Sequence, residues 1–249
     1  MGNMWNRPAQ RLLSLTLALA LVACAATDDP PQPEPLREPF RVLLLGDSIS
    51  IGYTRFVADS LADRAHVVRP RRRDKNGVAG AGGPENCAGT NKGALNIDRW
   101  LAIEGGEWDV IHFNFGLHDL KRVRPDTGEN SNDPAHPHQA DPARYEAQLR
   151  AIVGRLKDSN ARLVFATTTP VPEGDLRPYR EPADPVRYND IARRVMAEEH
   201  VPVNDLFRFV TDYPTQILRP ANVHFTEEGS RALARQVTEA ILEVAGRAD

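Results

Sequence analysis

Five short apolar runs punctuate this chain, and a helix-period pattern follows each of them. Arg41–Leu45 (RVLLL), Ala65–Arg69 (AHVVR), Asp109–Phe115 (DVIHFNF), Arg162–Thr167 (RLVFAT) and Val201–Asp205 read as strands. Helical spacing follows through Ile51, Phe56 and Leu61, then over Ala94–Leu101, Pro142–Lys157, Pro185–Glu199 and Glu227–Ala248. Nearly continuous apolar strands are those covered on both faces. Their alternation with helices predicts an α/β fold with a central parallel sheet of about five strands. Ligands of such sheets bind beyond the carboxyl ends of the strands. The polar motifs fall there: GDSIS after the first strand, a Gly- and Asn-rich loop over 70–93 after the second, and GLHDL after the third. Loops over 121–141 and 169–185 are long enough to rim the same crevice.

The 249 residues suffice for one domain with a tail. A formal charge of −3 excludes a strongly basic polynucleotide binder, so no nucleic-acid partner is expected. Two cysteines exclude a disulfide-dense scaffold and a four-Cys zinc site. Residues 1–23 have the form of a signal peptide: Arg7 and Arg11 precede a short apolar stretch from Leu12 to Ala23. That stretch is too short to span a bilayer comfortably. It ends in Leu21-Val22-Ala23-Cys24, which resembles a bacterial lipobox; a plain signal peptide with a chance Cys is the alternative. The resemblance implies cleavage before Cys24, its acylation, and an exported lipoprotein of the cell envelope, on the periplasmic side or at the outer membrane. The remaining chain would carry 29 basic and 34 acidic residues, and Cys87 would have no disulfide partner. Residues 24–40, rich in proline, read as a semi-rigid tether, with the folded domain over 41–249.

Ser48, in Gly46-Asp47-Ser48-Ile49-Ser50, lies where a strand turns into a helix. There its hydroxyl faces the crevice and its own N–H sits at a helix N-terminus, which favours developing negative charge. Asp and Ser are also good helix caps, so a purely structural role competes. No Gly-x-Ser-x-Gly elbow is present. A nucleophilic Ser needs a base, and His224, in Asn222-Val223-His224-Phe225 just before the last helix, can return to the end of the first strand.

With GDS near one end and this His near the other, the chain resembles the SGNH hydrolase superfamily, the GDSL-type esterases and lipases, over roughly 41–246. The resemblance implies a flavodoxin-like three-layer αβα sandwich and a serine esterase that needs no metal or cofactor. It maps the nucleophile to Ser48 and the base to His224. The family's Gly-x-Asn-Asp block is here Gly116-Leu117-His118-Asp119, so His118 stands where an Asn donates to the oxyanion. A His can do so if Nε2 carries the proton. Asn114 could assist. The second backbone donor maps to Gly89, with Gly93 or Cys87 as alternatives. The family's Asp three residues before the His is replaced by Ala221. Asn222 or a main-chain carbonyl could orient the ring instead, a carboxylate could come from elsewhere, or the protein could be a weak or inactive relative.

His136 and His138 lack the spacing of zinc ligands, and no metal is expected. Cys87 reads as an idle thiol and Arg71–Arg73 with Lys75 as a solvated basic run near the crevice. Few aromatic residues, polar loops and the envelope location point to hydrolysis of a small hydrophilic ester, such as O-acetyl groups on a carbohydrate or cell-envelope polymer. Partners would be that ester, small or polymeric, and the membrane through the anchor at Cys24. A lysophospholipase or thioesterase, and a catalytically silent carbohydrate-binding module, are the rival readings.

Overall fold

The computed structural model describes Met1, Gly2 and residues 34–246. The signal-peptide segment, Cys24 and most of the Pro-rich tether lie outside the described residues. Five strands, β1 (Phe40–Leu45), β2 (Ala65–Val68), β3 (Val110–Phe113), β4 (Arg162–Ala166) and β5 (Val203–Asn204), form one sheet in the order β2-β1-β3-β4-β5. Every pairing is parallel. All of β3 and all but Arg41 of β1 are buried, as their apolar composition requires.

Helices α1 (Ser48–Ser60) and α6 (Glu227–Val244) pack together, and α6 also meets β3, β4 and β5. Helices α2 (Thr90–Leu101), α3 (Pro142–Lys157) and α4 (Asp184–Glu198) pack in sequence against one another, completing the three layers. A short α5 (Leu206–Thr211), not expected from sequence, follows β5. The main differences from expectation are at element ends. Helix α2 starts four residues before Ala94, because a carboxylate from a distant loop caps it. Asn114 and Phe115 lie beyond the end of β3, where the chain leaves the sheet.

The tether joins the domain earlier than expected. Arg162 donates to the Glu34 carbonyl at 2.6 Å, and the Leu36 N–H donates to the Ala245 carbonyl at 3.0 Å. Both contacts sit at the end of the sheet where the strands begin.

The order of the strands places the crevice. The chain leaves β1 for β2 on one side, then crosses to β3 on the other. The loops after β1 and β3 therefore diverge, and a cleft opens between them at the strands' carboxyl ends.

Candidate active site

Ser48 is the first residue of α1. Asp47 caps that helix, its Oδ1 accepting the Ile49 N–H at 2.9 Å. The turn is braced from β2's side: the buried Arg69 donates to the Gly46 carbonyl at 3.3 Å, to Ser50 Oγ at 3.2 Å, to Thr54 Oγ1 at 2.7 Å and to the Glu85 carbonyl at 2.9 Å. Gly46 has little room for a side chain, since a Cβ there would lie 2.9 Å from Ser50 Oγ.

His224 reaches Ser48 from the opposite end of the chain. It rides on a tight loop in which the Arg219 N–H donates to the His224 carbonyl and the Thr226 N–H to the Ile217 carbonyl, both at 2.9 Å. Its Nε2 lies 2.8 Å from Ser48 Oγ. Its Nδ1 lies 2.7 Å from Asn222 Oδ1. The same Asn222 atom accepts the His224 backbone N–H at 2.9 Å. A group that accepts from a main-chain N–H must be the amide oxygen, not its nitrogen. Nδ1 must then carry the ring proton to complete its bond, which leaves Nε2 bare and able to accept the Ser48 hydroxyl proton. Asn222 thus sets the tautomer from two positions before the His, while Ala221, three before, adopts a left-handed backbone (φ 46°) in the turn.

The third-strand block is tied to α2. Asp119 is fully buried and accepts the Thr90 N–H at 2.8 Å and the Thr90 hydroxyl at 2.6 Å. It supplies the cap that Gly89, at the N-cap position of α2, lacks. Gly89 must be glycine here: a Cβ would sit 2.7 Å from both Asp119 Oδ1 and Gln139 Nε2. Among the described residues the Gly89 N–H has no acceptor. The two alternatives are occupied, for the Gly93 N–H donates to the Gly89 carbonyl at 3.0 Å and the Cys87 N–H to the Gly46 carbonyl at 3.1 Å. Asn114 is turned away into the sheet, its Nδ2 donating to the Ala166 carbonyl at 2.7 Å. With that N–H it braces β3 against β4.

His118 lies beside the crevice and makes no hydrogen bond among the described residues. Burial first, then Lys121, Arg180, Lys92 and His224, push its pKa down to about 3. It is therefore a neutral imidazole with one N–H to give. His224 also lies below its ordinary value, through burial above all, with Asp47 opposing and Arg219 and Arg180 adding to the fall. Burial raises Asp47 and pushes the Cys87 thiol up to about 11, leaving it unreactive. His138 bonds Asp184 at 2.7 Å and His136 bonds Ser131 Oγ at 2.7 Å, so both histidines pin the β3–α3 loop. Arg71 and Arg73 bond carbonyls within their own loop, Gly80 and Gly77.

A hydroxyl on a bare imidazole nitrogen at the N-terminus of α1 is equipped for acyl transfer. Comparison with known proteins bears on the same segments. The model of the GDSL-like lipase/acylhydrolase family matches residues 44–232, from the end of β1 to within α6. The chain belongs to the GDSL-like lipase/acylhydrolase family. It is thus an acylhydrolase, an enzyme of ester-bond hydrolysis. No curated protein matches the chain. Among solved structures, the fold is similar to a lipase/acylhydrolase from Enterococcus faecalis, with 20% identity, a TM-score of 0.60, and 82% of this chain and 95% of that one covered. An acetyl xylan esterase, AlAXEase, gives 16%, 0.58, 81% and 99% respectively. TesA gives 17%, 0.54, 79% and 95%. At these identities the likeness is one of fold, with the same flanked five-stranded sheet. Within the GDSL-like acylhydrolase, sequence reasoning missed the capping role of Asp119 and the buried Arg69 and Arg180. All three act through contacts distant in sequence.

Proposed function

We propose that this acylhydrolase is a serine esterase of small hydrophilic esters, O-acetyl groups on a carbohydrate or cell-envelope polymer being the class that fits best. Ser48 is the nucleophile, His224 the base, and Asn222 the group that orients it. Ser48 Oγ attacks the acyl carbon while His224 Nε2 takes its proton. The carbonyl oxygen becomes an oxyanion held by the N–H groups of Ser48 and Gly89 and by Nε2–H of His118. The tetrahedral centre collapses, the C–O bond to the alcohol breaks, and His224 returns the proton to the leaving oxygen. Water then attacks the acyl-enzyme, giving its proton to His224. The second collapse releases the acid and restores the Ser48 hydroxyl.

The observation that carries this reading is the 2.8 Å contact between Ser48 Oγ and a His224 nitrogen left bare by Asn222. The hydrophilic class is supported by the polar β3–α3 loop, whose cleft of about 430 Å³ is lined by Asn91, Arg124, His138, Gln139, Asp141 and Arg144 among others, though not by Ser48 or His224. Likeness of fold to an acetyl xylan esterase points the same way. The test is turnover of para-nitrophenyl acetate and labelling by a fluorophosphonate, beside Ser48→Ala. Both should vanish in the variant, with turnover falling by ~10⁴ or more. Wild-type protein reacting no faster than Ser48→Ala would reject the assignment.

The same proposal includes export and anchoring through acylated Cys24 in the bacterial envelope. Cys24→Ser should shift the protein from the membrane to the soluble fraction; unchanged membrane retention would reject the anchor.

A further inference from the structure

Two arginines are buried near the crevice, and they are satisfied very differently. Arg69 is held by four neutral oxygens around its guanidinium. Arg180, on the β4–α4 loop and 7% exposed, donates Nε to the Leu117 carbonyl at 2.9 Å and Nη1 to the Pro178 carbonyl at 3.3 Å. Its Nη2 has no acceptor among the described residues. The ammonium of Lys121, in the turn that carries His118, also has neither a hydrogen bond nor a carboxylate within ion-pair distance among those residues. The contrast with neighbouring cations is plain: Lys92 pairs with Glu85, Arg122 with Asp184, and Arg193 with Asp205.

We propose that Arg180 and Lys121 form a recognition site for an anionic group, a carboxylate or phosphate, carried by the ester that Ser48 attacks. The inference deepens the esterase reading and rests on it for the position of the scissile bond. Arg180 grips the carbonyl of Leu117, the residue before His118, and Lys121 follows His118 by three residues. Both cations therefore border the imidazole that faces the oxyanion. Their fields overlap there: burial first and then Arg180 lower the pKa of Lys121, with Asp119 opposing, and after burial both cations lower that of His118. Two like charges in a partly dry cleft repel each other and lose hydration, a cost that a built-in carboxylate would ordinarily offset. Asp47 attracts Arg180 and Asp119 attracts Lys121, but neither carboxylate touches the cation, being held on the Ile49 N–H and on Thr90. A substrate anion supplies the direct contact that both cations lack. The free Nη2 offers it a hydrogen bond, and the ammonium adds a point charge.

The experiment uses the full chain in detergent, three charged esters and two neutral counterparts, para-acetoxybenzamide serving for both alcohol-side anions. Para-acetoxybenzoate against para-acetoxybenzamide places a carboxylate on the alcohol side. Para-acetoxyphenyl phosphate places a phosphate there. Para-nitrophenyl hemisuccinate against para-nitrophenyl butyrate places a carboxylate on the acyl side. The expected result is a kcat/KM ratio favouring at least one charged member by roughly tenfold or more, lost on adding salt. Lys121→Gln should cut that ratio by roughly tenfold, and Lys121→Arg should restore most of it. No charged preference in the wild type, or a ratio unmoved by Lys121→Gln, overturns the proposal. A binding measurement separates its failure from that of the esterase reading. Ser48→Ala protein should gain thermal stability with para-acetoxybenzoate, para-acetoxyphenyl phosphate or para-nitrophenyl hemisuccinate and not with the neutral partner, and lose the gain when Lys121→Gln is added. Binding without turnover in the wild type would remove the serine mechanism and keep the anion site; turnover of neutral esters without charged binding would do the reverse.

Discussion

The starts of α1 and α2 both present a main-chain N–H to the crevice, yet they are built by different means. Helix α1 is capped by Asp47, its immediate neighbour, through a bond to Ile49. Helix α2 follows a glycine with no side chain to cap it, and its cap is Asp119, 29 residues beyond the first helical residue, Thr90. One end is assembled by local chemistry, the other by the fold. A locally capped end forms with its helix; a remotely capped one exists only once β3 has docked. The second is therefore the more exposed to damage from a distance, and it also links the His118 turn to the Gly89 amide.

Replacing the two caps tests this difference most severely. Asp119→Ala strands the buried Thr90 N–H, while the Thr90 hydroxyl keeps Gln148 Oε1 at 2.8 Å, and should cost about 2–3 kcal/mol in urea denaturation. By loosening Gly89 it should also lower kcat by ~10², the scale of one lost oxyanion donor. Asp47→Ala should cost only about 1 kcal/mol, an ordinary cap. Equal losses would mean that the remote carboxylate adds nothing beyond capping. Gly89→Ala drives a methyl to 2.7 Å from Asp119 Oδ1. It should lower kcat/KM by about tenfold and destabilise by about 1–3 kcal/mol. An unchanged variant would show that α2 yields at no cost.

The base can be sharpened rather than broken. Asn222→Asp places a charge where an amide now holds His224, and should raise kcat by about tenfold or more, part of the ~10⁴ a triad carboxylate is worth elsewhere. The smallest effect is in pH. Catalysis needs neutral His224, and its pKa lies below the ordinary value, chiefly through burial. The acid limb of kcat/KM should therefore have its midpoint below pH 6.5, the ordinary value for His. His118, at about 3, stays neutral across this range and does not contribute. In Asn222→Asp the added charge favours imidazolium, so the limb should move to higher pH. A limb at or above pH 6.5 in the wild type would contradict the burial of the base.

The same division explains what could be read from residues alone. The five strands, the layers around them, and the meeting of Ser48 with His224 follow from periodicity and from motifs placed at strand ends. Pro142–Lys157 is a helix with the bounds that its Asp141 cap and first-turn proline announce. The first turn of α2 was hidden, because Gly89 and Thr90 signal a helix start only once Asp119 is known to lie against them. The place of Asn114 was equally hidden: whether a polar residue at a strand end faces a crevice or a neighbouring strand depends on register, and here the Ala166 carbonyl takes it. Arg180 sits in a proline-rich loop with no local pattern to distinguish it from a surface charge. Asn222 was legible as one option among several, and its oxygen became decisive only with two donors converging on it.

The contact of Glu34 with Arg162 fixes where the chain enters the domain. It lies where the strands begin, whereas the crevice opens where they finish. The segment that straps onto the domain there is therefore kept clear of the mouth, and a bulky substrate can approach Ser48 without meeting it.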